Sequence, residues 1–404
     1  MSTASTARTS SGAAPVLGAL LPIMSAVLIA FLVIGFAMPI LPLHVHQGLG
    51  LGTFVVGLVA GSQFAASLVS RPWAGHYADS RGAKRAVVAG LIAASGAGML
   101  YLLSLRFASA PMVSVTILLL GRALLGGAES FIITGALSWG LGLVSSQYTG
   151  KVIAWMGTAM FAAFAVGAPA GTSLYARYGF AAIAVATTVM PLLTLWIVAP
   201  LKSVTPSGAA RVQLGHVLNA IWVPGIGLAF ASVGFGAITA FVALLFAARG
   251  WSPVWPPFTG FAVAFIFARV LFGHLADKRG GAKVALAFVL LEVAGQALIW
   301  LAPRYTLALV GAVLTGFGYS LVYPAFGVEA VRRVSPQSRG LAMGAYTAFL
   351  DLALGIASPA LGLVAGAWGM GSVFLVSALL VLCAAGIAMF LLSQPRGLSA
   401  YNNA

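Results

Sequence analysis

Six acidic residues occur in the 404-residue sequence; four of them, Glu129, Glu292, Glu329 and Asp351, fall inside long apolar stretches, and Glu129 and Asp351 are the most informative. An uncompensated charge at the centre of a bilayer costs at least about 2.5–3.5 kcal/mol on insertion scales, so residues of this kind are kept for binding or for moving protons. Asp351 lies about ten residues into the eleventh of twelve apolar windows, too deep to extend its short side chain to an interface. A carboxylate there can take a proton from one side of a membrane and release it to the other. Glu129 lies in the fourth window, seven residues after Arg122 and thus two helical turns away on nearly the same face. Asp351, Glu129 and Arg122 are the candidate proton-coupling or substrate groups. The structural alternative is that the acids pair with Arg122 or with Ser and Thr neighbours.

The remaining acids sit differently. Asp79 and Asp277 lie in basic connecting segments. A carboxylate in such a place can accept hydrogen bonds from the first amides of an opposing helix while pairing with Arg81 or Arg279, which would clamp one part of the molecule to another. Glu329 precedes Arg332 and Arg333 by three and four residues. Local helical pairing is expected there, and Glu329 is also a candidate to join Asp277 and Arg279 in a second clamp. Glu292 is expected to serve packing or to face a lipid headgroup.

Other chemistries find no support. The phosphate-cradling pattern G-x-x-x-x-G-K-[ST] does not occur. The single cysteine, Cys383, permits neither a disulfide framework nor a thiolate metal site, and its place in an apolar stretch suggests buried packing. His44 and His46 have no further ligands close in sequence. With no nucleophile or cofactor motif the chain does not read as an enzyme. No cofactor is implied, and energy would come from an ion gradient such as that of protons, or from the substrate's own.

The elements that must hold these residues are set by composition: 61% of the residues are hydrophobic, 7% are charged, and mean hydropathy is +1.05. Soluble domains carry roughly 25% charged residues, so lipid is the solvent here. The expected fold is an all-α integral membrane protein. Apolar windows long enough to span fall at about 16–43, 53–73, 86–105, 111–140, 152–175, 178–200, 219–248, 254–272, 284–303, 305–331, 341–366 and 371–393. The net charge of +15 arises from Lys and Arg scattered at window ends, with no basic stripe suited to nucleic acid. Counted over the connections, fourteen basic residues fall on the side of the termini and four on the other, leaving aside three arginines within or at the ends of windows. This bias places both termini in the cytoplasm. Trp139, Trp155, Trp251 and Trp255, near window ends, are expected to be interfacial anchors.

An internal repeat divides the chain. Arg71-Pro-Trp-Ala-Gly-His-Tyr-Ala-Asp-Ser-Arg-Gly82 and Arg269-Val-Leu-Phe-Gly-His-Leu-Ala-Asp-Lys-Arg-Gly280 align at one offset, since 269 − 71 and 280 − 82 both give 198, with seven identities. Two parallel copies of a six-helix unit follow from this. The expected organisation is a cytoplasmic tail at 1–15, a six-helix bundle at 16–200, a cytoplasmic linker at 201–218, a second bundle at 219–393 and a tail at 394–404.

Gly75-His-Tyr-Ala-Asp79-Ser-Arg81-Gly82-Ala-Lys84-Arg85 resembles the signature between helices two and three of the major facilitator superfamily. Pro39-Ile-Leu-Pro42, Arg122-Ala-Leu-Leu-Gly-Gly127, and Gly157 with Gly167-Ala-Pro169-Ala-Gly171 look like the signatures of its drug:proton antiporters. Leu125 stands where related exporters usually carry Gln. Over nearly its whole length the chain looks closest to the YhhS-type permeases, the resemblance including Ala128-Glu-Ser-Phe131, Tyr323-Pro-Ala-Phe-Gly-Val-Glu329 and Ala345-Tyr-Thr-Ala-Phe-Leu-Asp351. What the resemblance implies is two pseudo-symmetric bundles that alternate access, a gate formed by Gly75, Asp79, Arg81, Gly82, Asp277, Arg279 and Glu329, and a cavity lined by Phe36, Gln63, Trp222, Tyr319 and Tyr323. The glycines and Pro169 of the fifth helix are expected to allow close packing against the other half.

The function expected is proton-coupled export of an amphipathic or weakly polar small molecule across an inner membrane, by a monomer whose other partner is lipid. A proton-driven importer of a sugar or carboxylate is the first rival, and a membrane receptor without net flux is another. Asn219 is the single candidate membrane asparagine, which disfavours a polar sugar site.

Overall fold

A computed structural model describes residues 13–144, 149–204, 214–335 and 338–394. Apolar runs without water must satisfy every backbone amide internally, and helices do this within one segment. The first span is α1 (Ala13–Ala37), broken near Pro39, then α2 (Ile40–Leu43) and a π-helical turn at His44–Gly48. The first half continues with α3 (Thr53–Arg81), α4 (Ala83–Leu105), α5 (Pro111–Leu143), α6 (Thr149–Tyr178) and α7 (Phe180–Val198). The second half holds α8 (Leu214–Ala248), α9 (Pro256–Phe272), α10 (Leu275–Arg279), α11 (Gly281–Leu301), α12 (Tyr305–Val331), α13 (Arg339–Trp368) and α14 (Met370–Ser393). Among the described residues eleven helices are long and apolar enough to cross a membrane, and α9 supplies a shorter twelfth. The protein is thus a twelve-helix membrane protein of two six-helix bundles.

The repeat is visible in the backbone. Gly82 and Gly280, 198 residues apart, both take positive φ, at 101° and 92°, where a side chain would clash with its own carbonyl. One expectation changes here. Arg71 to Arg81 is the last third of α3 rather than a loop, because a helix tolerates Pro72 when nearby groups satisfy the freed carbonyl. The equivalent stretch of the second half breaks at Gly273 and resumes as α10.

The linker region 201–218 is described in part, since 205–213 lie outside the described residues and α8 already begins at Leu214. Trp139 is no interfacial anchor: it is 1% exposed, and its indole donates to the Lys202 carbonyl at 2.9 Å, fixing the entry to the linker. Cys383 is exposed on α14 rather than buried, because its apolar helix turns that face outward.

The halves meet along α3 with α13 and α6 with α9. Small residues decide how close α3 comes to α13. A Cβ on Gly57 would stand 2.2 Å from the Ser358 carbonyl oxygen, and one on Gly61 2.8 Å from that of Gly355. Near the end opposite the linker, Thr53 Oγ1 donates to the Gly362 carbonyl at 2.7 Å. In the second contact Phe161 of α6 stacks on Phe265 of α9 with centroids 3.5 Å apart, and Thr259 donates to the Ala165 carbonyl at 2.8 Å. The side opposite the linker is therefore closed by direct helix contact.

This packing predicts that Gly57→Leu forces α3 off α13, with a loss of about 1–3 kcal/mol or more in stability. Disulfide formation between Thr53→Cys and Gly366→Cys, whose Cβ would stand 3.2 Å from Thr53 Oγ1, should fall sharply in that variant in a background lacking Cys383. Gly157→Leu, at a site where a Cβ meets nothing within 4 Å, should leave the cross-link unchanged.

Candidate functional site

Polar side chains gather where α3, α5 and α13 meet. Gln63, Ser67 and Arg71 recur every four residues on α3 and so share one face. The Gln63 amide donates to Glu129 Oε2 at 2.6 Å. Ser67 and Ser130 hydroxyls are 3.0 Å apart, and Ser130 donates to the Ser67 carbonyl at 2.9 Å. The Ser67 hydroxyl donates to Asp351 Oδ2 at 3.3 Å. The same carboxylate oxygen accepts from Arg71 Nε in an ion pair between the two halves. Asp351 is 2% exposed and Arg71 17%, so this pair is shielded from water. Gly126 lets α5 approach: a Cβ there would stand 1.9 Å from the Gln63 carbonyl oxygen.

The second half completes a polar band. Tyr323 of α12 hydrogen-bonds the Thr347 hydroxyl at 2.7 Å, and Tyr346 donates to the Tyr323 carbonyl at 2.9 Å. Tyr319 stacks on Phe235 and meets the Ser232 hydroxyl at 3.3 Å, joining the aromatic cluster around Phe161, Phe261 and Phe265.

Asp351 and Glu129 both reach this band, and Gln63 and Tyr323 lie in it. Arg122 is buried on α5 but does not pair with Glu129. About 10.5 Å of helix rise separates residues seven apart, so one shared face does not give contact. Arg122 Nε has no hydrogen-bond partner among the described residues.

The expected clamp is not assembled. Asp79, now on the last turn of α3, and Asp277 and Arg279, exposed on α10, make no ion pair among the described residues, nor does Arg81. Glu329 does cap a helix, but within its own half: Oε1 accepts from the Ala282 amide at the start of α11 at 3.0 Å, with Arg332 3.6 Å away. Past Arg71 towards the linker side, no hydrogen bond or ion pair joins the halves among the described residues.

Three further expectations change. Gly167 and Gly171 seat α6 against α1 of the same half, where their Cβ atoms would meet Gly35 and Phe36, so they do not serve packing between halves. Gly157 touches nothing in that contact, and Gly75 is equally open. Phe36 is accordingly a packing residue, and Trp222 is half exposed on α8. Glu292 faces no headgroup: it is fully buried against Gly234 of α8, with neither carboxylate oxygen hydrogen-bonded among the described residues. His44 stacks on Phe180 and His46 bonds the Leu51 carbonyl, which occupies both rings locally.

Arg71 is the residue that sequence reasoning passed over. Its signal was present, as one of three arginines left within or at the ends of windows and as the first residue of the repeat.

Twelve spans in two repeated bundles, with buried charges at their seam, define a secondary transporter. The family model for the Major Facilitator Superfamily matches residues 23–257 and 255–404, and the chain belongs to that superfamily. It is 41% identical over 372 residues to an uncharacterized MFS-type transporter of Salmonella typhimurium, covering 92% of this chain and 96% of that one. Its fold is similar to a bacterial homolog of the human lysosomal transporter Spinster in an inward-facing, occupied conformation, with TM-score 0.74, 14% identity and coverage of 92% and 96%. A D-xylose-proton symporter also matches, with TM-score 0.74, 12% identity and coverage of 93% and 98%.

The geometry predicts strong coupling between Arg71 and Asp351. Either Arg71→Gln or Asp351→Asn leaves the partner's charge buried and unpaired, a loss of about 3–5 kcal/mol. The double variant should cost clearly less than the sum of the two, as measured by thermal unfolding in detergent. Strict additivity would show that the pair is not formed.

Proposed function

We propose that this transporter exports a small amphipathic molecule across the inner membrane in exchange for protons, with Asp351 as the proton-carrying group and Glu129 sharing the task. One observation carries the reading: the ion pair of Arg71 and Asp351 joins the two halves inside the membrane. While Asp351 is charged, the pair holds α3 to α13. A proton on Asp351 cancels the attraction, releases Arg71 and lets the halves part on the linker side. Proton binding is thereby tied to the movement that alternates access. Glu129, held by the neutral amide of Gln63 and by no ion pair among the described residues, is a second group able to exchange a proton next to the first.

Three further features support the finer assignment. The resemblance of the fourth- and fifth-helix segments to drug:proton antiporters and of the whole chain to YhhS-type permeases favours export. The Lys and Arg bias favours cytoplasmic termini in an inner membrane. The aromatic cluster of Phe161, Phe235, Phe261, Phe265 and Tyr319 beside the polar band suits a substrate with an apolar body. One solved structure of the same fold is described as a proton symporter.

The test is a substrate screen in proteoliposomes with and without an imposed pH gradient, scoring direction. The expected outcome is gradient-driven flux that Asp351→Asn abolishes while substrate exchange at equal pH persists, with Glu129→Gln reducing the driven flux. Full gradient-driven flux in both variants, and in the double variant, would remove both residues as carriers.

A further inference from the structure

Arg269 is the repeat equivalent of Arg71, 198 residues on, yet it has found no acid. Among the described residues no carboxylate lies within 4.0 Å of it. Of the acids of its own half, Glu329 caps α11, Glu292 is buried against Gly234, and Asp277 is exposed on α10. The Arg269 guanidinium makes one long hydrogen bond, Nη1 to the Ser320 carbonyl at 3.5 Å, and its Cζ stands 5.8 Å over the Phe265 ring. A guanidinium has five N–H donors, so most of its capacity is unused.

Its direction is set by its helix. Phe265, one turn earlier on α9, stacks on Phe161 of the opposite half. Arg269 at four residues' spacing projects from the same face, towards the seam. Its bond to the Ser320 carbonyl, three residues before Tyr323 on α12, puts Arg269 beside the polar band. Arg71 is paired with Asp351, whereas Arg269 meets no carboxylate among the described residues.

We propose that Arg269 binds an anionic group of the substrate, so that the transported molecule is an amphipathic organic anion, for example an aromatic carboxylate, whose apolar body rests on the cluster of Phe161, Phe235, Phe261, Phe265 and Tyr319. An anion at Arg269 fills its unused donors and pairs its charge. A cationic substrate would face an unpaired guanidinium there. The proposal rests on the transporter reading above and names its substrate class.

The experiment measures binding, not flux, to the purified full-length protein in detergent. The probes are matched pairs of aromatic carboxylates and their neutral amides, from benzoate with benzamide to 1-naphthoate with 1-naphthamide, followed by calorimetry. At least one carboxylate should bind more than about tenfold tighter than its amide, the scale of one charge-assisted hydrogen bond. Arg269→Gln should erase that preference while leaving amide binding unchanged, and Arg269→Lys should keep part of it. Equal binding of acid and amide across the set, no binding of any carboxylate, or a preference unaffected by Arg269→Gln would overturn the proposal. If Arg269→Gln does not fold, the ratios for the native protein and Arg269→Lys still decide. An intact carboxylate preference without gradient-driven flux would instead sink the proton-coupling reading and leave the Arg269 site standing.

Discussion

The ion pair between Arg71 and Asp351 governs the rest of this molecule because neither charge is tolerable alone where it stands. Low dielectric strengthens their attraction and also makes either one costly without the other. The partners come from different halves, so the pair exists only when α3 and α13 lie against each other. Glycines at 57 and 61 on α3 and at 355 and 362 on α13 permit that approach. Ser67 then donates to the carboxylate, and Ser130, bonded to Ser67, ties α5 to the same point. Backbone packing, hydroxyl network and charge pairing thus depend on one contact.

The two halves use one scaffold for different ends. Arg71 and Arg269 occupy equivalent places in the repeat, and among the described residues only the first meets a carboxylate, because Asp351 enters from the other half beside α3. Contact is asymmetric along the membrane normal as well. Glycine packing, the Thr53 to Gly362 bond and stacked phenylalanines close the side opposite the linker. Towards the linker the ion pair is the last polar link between halves among the described residues. On the function proposed above, a structure held in this way opens at the linker side when that link is cancelled.

Much of this architecture was legible in the sequence, since window length and charge placement are one-dimensional signals. The twelve helices, the repeat and the burial of Asp351 deep in its span could be read directly. Its partner could not, because Arg71 and Asp351 are 280 positions apart and no periodicity links them. The same limit explains Arg122, which shares a helical face with Glu129 but not its contacts. Asp79 looked like a loop residue because Pro72 and Gly75 imitate a helix end, yet α3 runs through both. The fifth-helix glycines announce close packing without naming a partner, and α1 proves to be that partner. Burial of Trp139 arises from the linker folding back over it, which no local pattern encodes.

The central claim is that protonation of Asp351 unlocks the two halves, and distances report it most directly. Spin labels at Ser80 and Gly340, exposed at the linker-side ends of α3 and α13, would be measured by pulsed electron resonance in lipid across a pH series, with Cys383 replaced. The account predicts a distribution that shifts to longer distances as pH falls in the native protein, and that in Asp351→Asn stands at the longer distances at every pH. A distribution that ignores pH in the native protein and is unchanged by Asp351→Asn would contradict it.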